Sequence, residues 1–509
     1  MARLDSVYLH QHNSDKMKLF YKFLLISGLA AGIPASSAAQ ALSLDSCRSL
    51  ALKNNKTLAI SRAQADKALY DHKAARTNYL PKVSLTAGYM RTGKELSLLN
   101  KDQKTQLASM GTNLTGQLGS MAGEILQKYP DLAPLMQAVS GNLPQIEGAL
   151  NGVGQGIADA FRTDTRNMAS AAIILTQPLY MGGKIKAYDN ITRYSQEIAG
   201  QQLRADEQQV VLSADQAYWQ VVSLANKRKL AVSYRDMLQR LDSDMTKMIA
   251  EGVATKANGL SVSVKLNEAE MTLTKVDDGL SLARMLLCQI CGLPLDSRVT
   301  LADEEMENLP VASENVTADA AAAFANRPEL GQLELANSIY QEKVNIERSA
   351  FLPQLALMGG YLATNPGLTN GFENRFRGTW AVGVTLSVPV WNWGESKYKI
   401  RAAKAEADVA SYRLSDAREK IELEVSQASF RVNEANKKLG LSLKNLEKAD
   451  ENLRTAQAGF KEGVITTTDL LQAQTAWLQA HSDKIDSQIE IKLTRAAFSK
   501  ALGTLGTQE

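Results

Sequence analysis

The chain has 509 residues, and its 57 lysine and arginine side chains nearly balance 54 aspartate and glutamate side chains, for a formal net charge of +3. A near-neutral chain without a clustered basic face is not expected to bind nucleic acid. Two of its four histidines, His10 and His12, fall in the N-terminal leader, so neither a histidine-rich metal site nor a histidine-based catalytic set is expected. No nucleotide loop or nucleophile with its base is evident, so we expect neither an enzyme nor a cofactor.

Residues 1–39 resemble a secretory leader. Residues 17–22 are basic, residues 23–33 are apolar, and Ser37-Ala38-Ala39 is a small-residue cleavage site. The alternative is a retained membrane anchor, but the apolar run is shorter than the roughly 20 residues that a span needs. We therefore expect Met17 to be the start and the mature chain to leave the cytoplasm.

Three cysteines occur in the chain. Cys47 lies well beyond the apolar run and follows an aspartate and a serine, which disfavours a lipoprotein acylation site. Cys288 and Cys291 form a CxxC pattern inside the apolar helical run 286–292. We interpret them as small apolar helix residues rather than a redox pair.

The chain contains two copies of one unit. Residues 79–81 recur at 351–353, whereas residues 177–183, 251–253 and 286–292 recur 211 positions later. The change in offset places an insertion, residues 91–166, inside the first copy. We predict a first repeat over 40–300, a linker over 301–316 and a second repeat over 317–509. Each repeat is predicted to contain a helix, a β-hairpin and a long helical hairpin.

Four segments are predicted to be strands, and the clearest covers residues 376–388. Its even positions are mostly large and apolar, as at Trp380 and Val384, whereas its odd positions are small or polar. Weaker partners cover 82–89, 168–177 and 354–363. Prolines mark the predicted strand–helix junctions: Pro81, Pro178, Pro353 and Pro389. The pattern fits the wall of a transmembrane barrel, and an ordinary soluble sheet is the alternative.

Residues 395–460 predict a helix roughly 100 Å long. Large apolar residues recur in it every seven positions, at Val425, Val432, Leu439, Leu446, Leu453 and Phe460. The run after Gly463 repeats the spacing, so the two runs are predicted to form a long antiparallel hairpin with Gly463 at its tip. The first copy has the same spacing between residues 217 and 245. We expect this seam to stay exposed until copies of the chain associate, and the alternative is that the helices of one chain pack on it by themselves.

Four strands cannot close a barrel, because each open edge would leave unpaired backbone groups in lipid. Three copies would provide twelve strands, and four long helices per chain would form a ring of twelve. The Gly-, Ser-, Leu- and Met-rich insertion 91–166 should then emerge on the side away from the helices. It is predicted either to cover the outer mouth or to remain a mobile surface loop.

These features together resemble the TolC family of outer-membrane channels over essentially the whole mature chain. The resemblance rests on the duplication, the Pro178 and Pro389 junctions with their following glycines, the Gly252 and Gly463 tips, and the exit at residues 293–295. It implies a membrane α/β-barrel channel, with a homotrimer forming a 12-stranded β-barrel and a 12-helix α-barrel. It also implies docking to a periplasmic adaptor and an inner-membrane transporter.

The resemblance also implies roles for residues at the tips. Adaptor docking is assigned to Gly252, Val253, Thr255, Gly463, Val464, Ile465 and Thr466. Asp469 matches an acidic gate position, where three carboxylates around an axis would favour cations, and the alternative is an acid at a helix N-terminus that the helix dipole favours. The chain departs from the family at Gln472, Ile465 and Asn258, where an acid, an arginine and an acid are expected. Packing by Phe460, Ile465 and Met248 is predicted to replace an arginine–carboxylate lock.

The predicted function is a passive exit channel of a tripartite efflux or type I secretion system. It would lie in the bacterial outer membrane and extend into the periplasm. A protein of another class, a structural coiled-coil spacer or surface-adhesion protein without channel activity, is the alternative. The cargo does not follow from the sequence, because selection belongs to the pump.

Overall fold

The computed structural model describes residues 41–93, 96–97, 99–163, 165–306, 308–312, 314–367, 369 and 374–506. The predicted leader and its start at Met17 lie outside these described residues. Among the described helices, none is long and apolar enough to span a membrane.

Apart from the insertion in the first copy, the two copies fold into the same series of elements. The first contains α1 (Leu44–Asn54), α2 (Lys56–Arg76), β1 (Lys82–Arg91), β2 (Leu96–Ser97), α3 (Lys101–Ala108), α4 (Met110–Lys128), α5 (Ala133–Ala160), β3 (Arg162–Thr163), β4 (Asn167–Met181), α6 (Lys184–Ala250) and α7 (Lys256–Cys291). The second contains α8 (Ala320–Asn326), α9 (Pro328–Ser349), β5 (Gln354–Asn365), β6 (Arg377–Ser387), α10 (Glu395–Lys461) and α11 (Thr467–Ala501). The predicted duplication is confirmed.

The four predicted strands are confirmed and form one antiparallel sheet in the order β1–β4–β5–β6. The two expected hairpins are thus joined by pairing between β4 and β5. Each outer strand pairs on one side within the chain, so β1 and β6 each present an open edge. Their side chains are largely exposed along the whole length.

Three of the four junction prolines lie where the sequence placed them: Pro81 and Pro353 directly precede β1 and β5, and Pro389 follows β6. The prediction for Pro178 was wrong, because β4 continues through it to Met181. The register of β4 against β5 shifts between Pro178 and Tyr180. Such a bulge accommodates a residue without an N–H group inside a strand.

The insertion forms helices rather than an irregular loop. A two-stranded ribbon of β2 and β3 leads into α3, α4 and α5. Gly111 and Gly154 lie at the helix contacts, where an added Cβ would overlap the carbonyl oxygens of Glu147 and Leu107. At these two positions the absence of a side chain permits close helix packing. Whether this subdomain covers a channel mouth stays a prediction.

The predicted long hairpins are confirmed, and α6 and α10 each span 67 residues. The expectation that their seven-residue seam stays exposed was wrong. Val425 and Val432 are fully buried within the single chain, and Leu453 packs with Leu471 and Leu238. The seam is covered because its antiparallel partner α11 lies along it and because α8 and α9 pack against it in the half next to the sheet. A different face of α10, including Phe430 and Leu441, remains exposed.

The long helices lie side by side in the same order as the strands. In the half next to the sheet, the contacts run from α2 to α6, α9 and α10. In the other half, they run from α7 to α6, α11 and α10. One edge of the chain is therefore formed by β1, α2 and α7, and the opposite edge by β6 and α10.

The segment between the copies wraps around the middle of the helical layer. The Leu42 N–H donates to Thr300 O at 2.9 Å, and the Tyr218 hydroxyl donates to Asp303 at 2.6 Å. Further along, Asn433 donates to Val316 O at 3.0 Å. This segment thus contacts the N-terminal residues, α6 and α10.

An ion pair attaches α1 to α6 at this level. Arg48 Nε and Nη2 donate to the two carboxylate oxygens of Asp215, each at 2.7 Å. The Asp215 side chain is only 1% exposed, whereas Asp45, the second acidic neighbour of Arg48, is 89% exposed. Loss of this bidentate pair would leave the buried Asp215 carboxylate without a charged partner.

We expect Arg48→Ala to lower the free energy of unfolding by roughly 3 kcal/mol, because the buried Asp215 carboxylate would lose its charged partner. Asp45→Ala is the matched control and should change it by less than about 1 kcal/mol. Denaturant titration of the purified protein in detergent, followed by circular dichroism, measures both. Equal effects of the two substitutions would contradict this assignment.

Candidate functional site

The two helical hairpins turn at the same end of the molecule with the same geometry. Gly252 and Gly463 adopt φ of +81° and +74°, a left-handed conformation that favours glycine. In the first turn, the N–H groups of Val253 and Ala254 donate to Met248 O. In the second, Val464 and Ile465 donate to Gly459 O in the same way. The turns thus satisfy the carbonyls at the ends of α6 and α10.

Each turn ends in a threonine that caps the next helix. The Asn258 N–H donates to Thr255 Oγ1 at 3.2 Å, and the Asp469 N–H donates to Thr466 Oγ1 at 3.2 Å. A threonine in this position satisfies an N–H group that has no partner within the helix. The predicted docking residues therefore include the two caps and the two positive-φ glycines.

The structure brings the two tips together through a shared apolar cluster. Met245 and Val262 of the first hairpin pack with Leu470 and Leu471 of the second. The half-buried side chains of Met248, Phe460 and Ile465 pack against this cluster. In contrast, Val253 and Val464 point into solvent, with exposed fractions of 71% and 81%. The tips are thus a single rigid end with two exposed valines.

The predicted gate residues occupy three different environments. Asp469 is exposed, and its Oδ2 accepts a hydrogen bond from the Thr466 hydroxyl at 2.7 Å. Asn258 occupies the corresponding third position of α7 and is half-buried. Gln472 is exposed one turn beyond Asp469, whereas Phe460 belongs to the interior cluster. Within one chain, Asp469 therefore also completes a helix cap.

A groove between α7 and α11, which the sequence did not predict, lies beside Gln472. Its volume is about 840 Å³, and Leu260, Val264 and Lys265 line one wall. Lys265 donates to Glu268 at 2.7 Å, and this interaction raises the pKa of the Lys265 ammonium group. Leu260 and Val264 are spaced by four residues, which was the available signal for an exposed apolar stripe on α7.

The described part of the chain contains no cluster of three or more histidine, cysteine, aspartate or glutamate side chains that could hold a metal ion. The features that distinguish the molecule are instead two open edges and one end formed by two helical turns.

The fold is shared with outer-membrane channels of known structure. The Campylobacter jejuni CmeC outer membrane channel superposes on this chain with a TM-score of 0.68. The superposition covers 92% of this chain and 87% of CmeC, at 15% sequence identity. This likeness defines the class of fold: long helical hairpins continued by a partial antiparallel sheet.

The chain belongs to the outer membrane efflux protein family, whose model matches residues 132–293 and 320–504. The resemblance to the TolC family is thereby confirmed. Alkaline protease secretion protein AprF of Pseudomonas aeruginosa is 24% identical over 62% of this chain. The chain spans 65%, just under two thirds, of the length of AprF. Outer membrane protein TolC of Escherichia coli is 21% identical over 73% of this chain and 77% of its own length.

Proposed function

We propose that three copies of this protein form a channel through the bacterial outer membrane and across part of the periplasm. The channel would be the passive exit of a tripartite efflux or type I secretion system. The observation that supports this proposal best is that one chain has two opposite open edges, which run through both its sheet and its helical layer.

The sheet supports association because its outer strands have apolar, exposed faces. On β6, one face presents four large apolar side chains that are exposed, at Trp380, Val382, Val384 and Leu386. On β1, Val83, Leu85 and Tyr89 are likewise exposed. In lipid these faces are favourable, whereas the unpaired backbone groups of the two edges cost several kcal/mol each. Pairing β1 with β6 of a neighbouring copy removes the edges, and three copies give twelve strands.

The helices support the same association. Along α7, exposed apolar residues recur at helical spacing, at Leu260, Val264, Met271 and Leu282. Along the opposite edge, α10 exposes Leu423, Phe430 and Leu441. A neighbouring copy would place the α7 stripe against the α10 stripe and bury both. A single ring thus covers the edges of the sheet and of the helical layer together.

The alternative, a coiled-coil spacer or adhesion protein, needs the helices but not alternating strands with an exposed apolar face. AprF is named a secretion protein and CmeC an outer membrane channel. Membership of the efflux family and the apolar face of β6 favour the channel. Stepwise single-channel currents from purified protein in a planar bilayer would support the channel, and their consistent absence would favour the spacer.

We expect Val384→Arg to reduce the amount of trimer in the outer membrane, because arginine on the lipid face costs roughly 2–4 kcal/mol per chain near the bilayer centre. Thr385→Arg is the matched control, since this side chain lies on the opposite face at nearly the same depth. Membrane fractionation followed by mild-detergent electrophoresis measures trimer. Full tolerance of Val384→Arg would contradict a lipid-facing role for this side of β6.

The tips are the proposed docking site for a periplasmic adaptor. They lie at the end away from the sheet, and Val253 and Val464 present apolar surface there. Residue 464, replaced by a photo-crosslinking amino acid, should yield an adduct with an adaptor in intact cells. The same replacement at exposed Lys404, far from the tips on α10, is the control. Equal yields from both positions, or none from position 464, would contradict docking at the tips.

Asp469 is the proposed acidic residue of the periplasmic constriction. Three copies of this exposed carboxylate around one axis would attract cations and exclude anions. We expect Asp469→Asn to lower the cation-over-anion permeability ratio in planar bilayers, while asparagine can still accept the hydrogen bond from Thr466. Glu462→Gln, which removes an exposed charge where α10 ends, is the control. An unchanged ratio in Asp469→Asn would reject the gate role.

A further inference from the structure

The three cysteines of the chain meet in one buried core, although 244 residues separate Cys47 from Cys291. Cys47 lies in the middle of α1, and Cys288 and Cys291 lie in the last turn of α7. All three side chains are at most 1% exposed. The CxxC spacing seen in the sequence is thus less informative than the contact that α1 makes with α7.

Within this core, Cys291 is directed toward Cys47. Its thiol donates to Cys47 O, with Sγ and O 3.6 Å apart. In contrast, Cys288 Sγ is directed toward Ser297 O, at 3.9 Å. The two cysteines of the CxxC pattern therefore face different neighbours, and the partner of Cys291 is Cys47.

The backbones that bear these thiols are held close together. Asn55 Nδ2 donates to Ile290 O at 3.0 Å, and Asn54 Nδ2 donates to Cys291 O at 3.4 Å. Gly292 has φ of +68°, and an added Cβ there would lie 2.5 Å from Asn54 Cβ. Only a glycine lets the end of α7 approach α1 this closely. The approach is thus fixed by contacts other than those of the thiols.

We propose that Cys47 and Cys291 are joined by a disulfide in the mature protein and that Cys288 remains a free thiol. The proposal rests on one part of the proposed function, the location of the chain outside the cytoplasm, where disulfides form and persist. A pair in direct contact in such a compartment is a substrate for oxidation, and the adjacent Cys288 is not aligned with either partner.

The oxidation is a thiol–disulfide exchange. A thiolate of the pair attacks a disulfide of a protein or small-molecule oxidant and forms a mixed disulfide. The second thiolate then attacks that bond and forms the Cys47–Cys291 bond. The pair loses two protons and two electrons, and the oxidant is released as a dithiol. Because both thiols are buried in the finished core, the exchange takes place before α1 closes over α7.

The pKa of the Cys47 thiol agrees with this timing. The hydrogen bond with Cys291 and burial raise the pKa of the Cys47 thiol, so it does not react once the core has formed. The bond would close a loop that contains most of the first repeat and would fasten α1 covalently.

The experiment counts thiols in protein purified from cell envelopes after acid quenching. Denatured, unreduced protein is labelled with N-ethylmaleimide, and its mass is compared with that of reduced, labelled protein. We expect one label per chain before reduction and three after it. Peptide mapping should show a crosslinked pair that contains Cys47 and Cys291. Three labels before reduction, or a bond to Cys288, would overturn the proposal.

Two variants serve as matched tests. Cys288→Ser should leave no label before reduction and two after it, whereas Cys291→Ser should leave two labels in both cases. The wild-type count does not depend on how either variant folds. Three free thiols in protein that still conducts ions would overturn the disulfide and leave the channel standing. One free thiol in protein that does not conduct ions would support the disulfide and contradict the channel.

Discussion

Unpaired backbone groups at two opposite edges are the constraint on which the rest of this structure depends. A β-strand can satisfy only half of its main-chain donors and acceptors by pairing on one side. In water the other half is solvated, but in hydrocarbon it is not. The chain has such edges at β1 and β6, and the same edges continue into α7 and α10. The proposed trimer would close the sheet and the helical layer into one ring, so that neither layer has an open edge.

Continuity between strand and helix makes this shared edge possible. Each strand leads to a long helix or follows one, so the order β1, β4, β5, β6 is repeated by α2, α6, α9, α10. The transition needs a sharp turn of the backbone, which Gly182 and Gly183 make with φ of +61° and +87°. In the second copy, Trp393 takes the place of the first glycine and adopts φ of +52°. The Trp393 side chain is largely exposed, and its ring packs edge-on against Trp391, with the ring centroids 5.6 Å apart.

The middle of the molecule is stabilised in a different way from its two ends. Here α1 is attached to α6 by the Arg48–Asp215 pair and to the linker by pairing of Leu42 with Leu301. The Tyr218 hydroxyl, buried beside this pair, is held by Asp303, and burial and that hydrogen bond raise the pKa of Tyr218. Long-range contacts of this kind join the N-terminal segment, α6 and the linker, which are far apart in the sequence.

Structural elements whose residues follow a short repeat could be predicted from the sequence alone. Alternation along 376–388 and the seven-residue spacing from Val425 to Phe460 identified a strand and a long hairpin, because both periods are fixed by backbone geometry. The duplication located the tips at Gly252 and Gly463. Only the tertiary structure decided which neighbour covers each face. It showed that the α10 seam is buried within the chain, that a bulge carries β4 past Pro178, that Gly111 and Gly154 lie at helix contacts in the insertion, and that Cys291 contacts Cys47. Periodicity specifies that a face is apolar, whereas its partner depends on contacts between residues hundreds of positions apart.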